Sequence, residues 1–108
     1  MWNIGDFDTG YRKIWTFFSK KGTKNKGCQI DLLIQTKFGT LYLCEVKFYL
    51  SKVGKQVVEE VEEKIHRLTY PKGYTVRPIL IHVNGVTQSV IESSLFDKII
   101  DLSEFLKN

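Results

Sequence analysis

Residues 27–48 read GCQIDLLIQTKFGTLYLCEVKF, and the alternation within this stretch decides the fold. Side chains two apart along a strand share a face. Cys28–Thr36 and Leu41–Phe48 both carry strand patterns, and the Lys37–Gly39 link between them is short and contains glycine, which predicts a hairpin. In the first strand Ile30, Leu32 and Ile34 share one face, and Asp31, Leu33 and Gln35 the other. In the second, Tyr42, Cys44, Val46 and Phe48 lie opposite Leu41, Leu43, Glu45 and Lys47. One hairpin face is therefore apolar and able to bury. The other gathers Asp31, Glu45 and Lys47 among leucines.

Working outward, Tyr11–Phe18 (YRKIWTFF) is aromatic and β-branched and reads as a preceding strand, followed by a glycine-punctuated basic loop, Lys20–Gly27 (KKGTKNKG). After Ser51 the period changes. Val53, Val57, Val58, Val61, Ile65 and Leu68 follow helical spacing, with Glu59, Glu60, Glu62, Glu63 and Lys64 assigned to the solvated face. Pro71 and Gly73 end this helix. Val76–Val83 reads as a fourth strand, and Pro78, lacking an N–H, predicts an edge position or an irregularity near its start. Asn84-Gly85 is a turn, Gln88–Phe96 a short helix, Ile99–Leu102 a last short strand, and Ser103 the cap of a terminal turn through Leu106. The expected fold is α/β (α+β): a mixed sheet in the order β-β-β-α-β plus a short α/β tail, with the helix crossing one face.

A length of 108 residues suits one domain, residues 1–108, with a modest core. Hydrophobic residues at 43% and charged residues at 26% are an ordinary globular balance. No apolar run approaches the roughly 20 residues that cross a bilayer, and Met1–Gly10 lacks a signal layout, so a cytoplasmic protein without membrane partners is expected. Cys28 and Cys44 make neither a disulfide framework nor a zinc site and read as small core residues. His66 and His82 lack ligand spacing. The net charge of +4 permits a polyanionic partner without requiring one.

The polar hairpin face is costly without a purpose. Carboxylates kept close together repel unless a cation lies between them. A divalent ion with hard oxygen ligands, Mg²⁺ or Mn²⁺, meets that need, and Asp31, Glu45 and the backbone carbonyl of Val46 are the candidate ligands. Lys47 lies two residues from Glu45, roughly 7 Å along the strand. An ammonium there can hold an attacking water and steady charge building on a phosphate. Two carboxylates and a lysine suit phosphodiester hydrolysis.

This segment, an Asp on one core strand followed by Glu45-Val46-Lys47 on the next, resembles the core motif of the PD-(D/E)xK nuclease superfamily. More narrowly, GCQIDLLI followed by LCEVKF resembles the C-terminal domain of a family of bacterial and archaeal AAA-type ATPases, and the likeness runs from about Trp15 to the end. It implies a restriction-endonuclease-like core and a metal-dependent deoxyribonuclease with catalytic Asp31, Glu45 and Lys47. Gln56, on the following helix, matches a glutamine used by some relatives. DNA is the implied substrate, a homodimer and an ATPase module in cis or in trans are implied partners, and the chain reads as a domain or fragment of that assembly or as a stand-alone protein. Similar nucleases often add an acidic residue from a helix before the first core strand. Here Asp6 and Asp8 lie in a segment without helical pattern, so that helix is expected to be missing or to lie on another piece of the protein. No G-x-x-x-x-G-K-[ST] string occurs in the chain.

Blander readings stand beside these. Asp31, Glu45 and Lys47 could form an ion-pair cluster on a wet sheet face. Lys20, Lys21, Lys24 and Lys26 could be a solvated turn or could contact a nucleic-acid backbone near the metal. Trp15, Phe17 and Phe18 suit core packing more than base stacking. The alternative to a nuclease is a non-catalytic nucleic-acid-binding or oligomerisation module that keeps the fold.

Overall fold

The computed structural model describes residues 5–8, 13–19, 28–36 and 39–106, with side chains from Asp31 onward. The quoted hairpin forms as read: β3 (Cys28–Gln35) pairs antiparallel with β4 (Thr40–Phe48), with Asp31 opposite Glu45 and Gln29 opposite Lys47. Thr36 donates its N–H to Thr40 O at 2.9 Å, and Gly39 takes the left-handed conformation the turn requires (φ 84°). Before the hairpin, β2 (Lys13–Ser19) pairs antiparallel with β3, and β1 (Gly5–Asp8) pairs antiparallel with β2. The segment carrying Asp6 and Asp8 is thus a strand, and no helix precedes β2 among the described residues.

Helix α1 (Gln56–Arg67) joins β4 to β5 (Thr75–His82), which runs parallel to β4. A parallel partner needs a crossover of this kind, because a hairpin turn can deliver only an antiparallel strand. Then α2 (Gln88–Glu92) leads to β6 (Lys98–Asp101), parallel to β5, and α3 (Ser103–Leu106) follows. The described strands form one mixed sheet in the order β1-β2-β3-β4-β5-β6, a mixed α+β architecture. No helix among the described residues is long and apolar enough to cross a membrane.

Three local expectations are corrected. Val53 does not join α1. It forms an isolated parallel bridge with Val86, its N–H going to Gly85 O and its carbonyl receiving Thr87 N–H, so its backbone is committed before the helix starts. Pro78 lies on an interior strand rather than an edge. Its carbonyl accepts Asp97 N–H at 2.8 Å and β6 begins only at Lys98, so the missing N–H falls where the β6 ladder has not begun. The last turn is held by Asp101, whose Oδ1 accepts both Ser103 N–H and Ser103 Oγ–H, rather than by Ser103 itself.

The core lies between α1 and the sheet. Leu43, Leu80, Val57, Val58 and Val61 are buried together with Tyr49, Val53 and Val90. The covered face of β4 is the one carrying Leu41, Leu43, Glu45 and Lys47, all buried. The charged row and the apolar core therefore share one face, beneath α1. Cys44 and Val46 on the opposite face are buried too, while Tyr42 and Phe48 are partly exposed.

Candidate functional site

Each functional side chain reaches the site for a local reason. Asp31 and Glu45 are register partners on adjacent strands, and directly opposed residues share a face at close range. Lys47 follows Glu45 by two residues and keeps its face. Their exposures are 5%, 0% and 1%, which overturns the wet ion-pair cluster. These charges are out of water.

Burial of carboxylates demands positive charge, and α1 supplies it. Lys64 Nζ lies 2.6 Å from Asp31 Oδ2 and 2.5 Å from Glu45 Oε1, bridging the two. Lys47 Nζ donates to Glu60 Oε2 at 2.9 Å and stands 3.7 Å from Glu45 Oε2. It also lies 5.5 Å from the Tyr49 ring centroid, within reach of a cation–π contact. The bridge leaves two oxygens over. Asp31 Oδ1 and Glu45 Oε2 are buried without a hydrogen-bond partner.

Electrostatics follow from this packing. Burial, then the neighbouring Asp31 carboxylate, push Glu45 up to about 7, with Lys64 pulling the other way. Burial alone would lower Lys64, but the carboxylates of Glu45 and Asp31 outweigh it and hold the ammonium above its ordinary value. Burial, reinforced by Glu45, raises the Cys44 thiol, so this cysteine is packing material rather than a nucleophile.

Glu60 and Lys64 are site residues that the sequence pattern places on the solvated face. They follow Val57 by three and seven residues, which puts them along the edge of the buried Val57–Val61 stripe. That spacing was the available signal. Gln56 opens α1 one turn before Glu60, is exposed, and makes no hydrogen bond to the cluster. Val46 is buried on interior strand β4, and its carbonyl lies in the sheet plane, where ladder bonds compete for it. Lys20, Lys21, Lys24 and Lys26 lie outside the described residues. His66 is exposed on α1. His82 is buried at 6%, pairs in register with Lys47, and accepts Gly85 N–H on Nδ1 at 3.0 Å, so it pins the Asn84-Gly85 turn at the end of this row.

A divalent cation fits the donor chemistry. Two hard carboxylates converge, and each offers a buried oxygen that no donor serves. Among the described residues no group of three or more His, Cys, Asp or Glu converges. An ion bound here would therefore need its remaining ligands from outside these residues, as Mg²⁺ commonly does.

The fold and site together define a small mixed α+β domain with a buried carboxylate–lysine row under a crossover helix. No family model, curated protein or solved structure matches the chain.

Proposed function

We propose that this domain is a metal-dependent nuclease of the PD-(D/E)xK type, hydrolysing phosphodiesters in DNA. The observation that carries the reading is the opposition of Asp31 and Glu45, buried on adjacent strands, with Lys47 on the same face and two carboxylate oxygens lacking donors. The β2-β3-β4-α1-β5 run around them, with β1 ahead of it, supports the reading.

In this reading Asp31 and Glu45 hold a Mg²⁺ or Mn²⁺ ion, with the Val46 carbonyl as a further ligand. When bound, such an ion polarises phosphate oxygens and lowers the pKa of water. Lys47 directs its ammonium along the same face, where it steadies charge developing on the phosphate. Glu60 orients Lys47 through their hydrogen bond. The net charge of +4 and Lys20, Lys21, Lys24 and Lys26, which precede β3 in the sequence, favour the DNA backbone. A cytoplasmic setting, a homodimer and an ATPase module in cis or in trans are parts of the same proposal.

Cleavage of plasmid and of short duplexes tests it. Activity should require Mg²⁺ or Mn²⁺ and disappear in Lys47→Ala and Asp31→Ala, and unchanged cleavage in both variants refutes it.

A specific observation favours a second reading, a non-catalytic module. The positions facing a metal already carry Lys64, and Lys47 is tied to Glu60. Calorimetry separates the two readings. A Mn²⁺ site that disappears on Glu45→Ala counts against the module.

A further inference from the structure

Lys64 and Lys47 both neutralise the buried carboxylates, but they are held differently. Lys47 is 1% exposed and boxed in by Glu60 and Tyr49. Lys64 is 23% exposed and comes from the last turn of α1, so it is the less enclosed of the two. A lysine stem is flexible and its ammonium strongly hydrated, so water offsets part of the ion pairing lost when it moves out, and a divalent ion arriving between the carboxylates replaces the rest.

The charge balance within the bridge is also incomplete. One ammonium spans two carboxylates, at 2.6 Å from Asp31 Oδ2 and 2.5 Å from Glu45 Oε1. The second oxygen of each carboxylate is buried without a hydrogen-bond donor, the Lys47 ammonium standing off at 3.7 Å from Glu45 Oε2. A divalent ion between the same two groups supplies twice the charge and can engage oxygens the ammonium leaves unserved.

We propose that Lys64 is a displaceable internal cation, holding Asp31 and Glu45 together in the metal-free chain and giving way to a divalent ion that takes its place between them. The inference rests on the metal-dependent reading above and adds a rule for how that site is filled. Lys64 competes with the metal and lowers its apparent affinity by the fraction of time the bridge is closed. Once displaced, the ammonium stands at the solvent side of the site, adding positive charge there only when the metal is in. Loading and presentation of charge to a polyanion are thus linked through one side chain.

The test is Mn²⁺ binding to the full 108-residue chain, read by the loss of the free-ion electron paramagnetic resonance signal, in wild type, Lys64→Gln and Lys64→Gln/Asp31→Asn. Gln keeps a donor for one carboxylate, and circular dichroism checks that the variants are folded. The expected result is that Lys64→Gln binds Mn²⁺ about tenfold or more tighter than wild type, and that the added Asp31→Asn abolishes the gain. Equal binding by wild type and Lys64→Gln overturns the inference and leaves the metal site standing. Binding by neither overturns both. A second measurement needs no variant. The Lys64 side-chain carbon and nitrogen resonances of the wild-type chain should shift toward those of a hydrated lysine as Mg²⁺ is added, and resonances unmoved at saturating Mg²⁺ overturn the inference independently.

Discussion

Lys47 Nζ lies 2.9 Å from Glu60 Oε2, joining a strand side chain that is 1% exposed to a helix side chain that is 43% exposed. The pair spans the boundary between core and solvent. Its lysine is the group that the proposed chemistry needs, and its glutamate can hydrate if released. Lys47→Met keeps much of the volume and removes the charge. We expect metal-dependent DNA cleavage to fall by about two orders of magnitude, with a stability change of about 1 kcal/mol or less, because no buried partner is left wholly without a cation. Plasmid nicking assays and urea melts on the same preparation check the split, and a cleavage rate equal to wild type would remove Lys47 from the mechanism.

Metal should stabilise the fold through the same carboxylates. A ligand that binds only the folded state at one hundred times its Kd adds about 2.7 kcal/mol. Mn²⁺ should therefore raise the melting temperature of the wild type and leave that of Asp31→Asn unmoved. A thermal shift of equal size in both proteins would place the ion elsewhere.

Glu45 makes the metal-free chain sensitive to pH. Its folded value is raised from 4.5 to about 7, so between those limits the folded chain holds a proton that the unfolded chain has released. Stability is then highest below pH 4.5 as far as this group is concerned, falls as pH rises toward 7, and is level above it, with a loss of up to about 3 kcal/mol. Denaturant melts in chelator across roughly pH 4.5–8 should show this decline, and Glu45→Gln should flatten it. A parallel decline in the variant would assign the effect to another group.

Leu80 is fully buried beside Glu45 in the β4–β5 register, within the cluster that α1 covers. Leu80→Ala should cost about 3 kcal/mol through reduced burial and an unfilled cavity. The midpoint of urea unfolding measures it, and a change below about 1 kcal/mol would mean that α1 packs less firmly on the sheet than the structure shows.

In the proposed function Lys20, Lys21, Lys24 and Lys26 would bear on affinity rather than catalysis. If they neutralise phosphates, replacing all four with Ala should make the salt dependence of DNA binding shallower, by roughly one in the log–log slope for each phosphate left unneutralised. Fluorescence anisotropy at several salt concentrations gives the slope, and an unchanged slope returns these lysines to the solvent.

Much of this architecture was legible because its signals are local. The alternation in residues 27–48 gathers Asp31, Glu45 and Lys47 on one hairpin face, and the strand register then sets Asp31 opposite Glu45. The amphipathic stripe located α1 to within a few residues at its start. The cover over the polar face was harder to read. A row holding Asp31, Glu45 and Lys47 suggests water, yet α1 packs on it, because Leu41 and Leu43 on the same face need burial as much as the charges need partners. With α1 in that position, Glu60 and Lys64 become readable as those partners. Val53 was misplaced because a valine in helical phase looks alike whether its N–H serves a helix or a neighbouring strand. The proposed PD-(D/E)xK chemistry and its metal are argued from side chains and resemblance rather than from backbone topology.

The hairpin that opposes Asp31 to Glu45 is local, whereas Lys64 lies 33 residues from Asp31 and 19 from Glu45 in the chain. Nearby pairings close sooner than distant ones, because shorter loops lose less entropy. During folding the two carboxylates should therefore meet while still hydrated, and the docking of α1 is the moment they leave water. That late step brings Lys64 and the apolar stripe to the sheet together. It gives refolding a checkpoint at which charge neutralisation and core closure must coincide, and stopped-flow refolding should slow when Lys64 is neutralised and recover when Mn²⁺ is supplied.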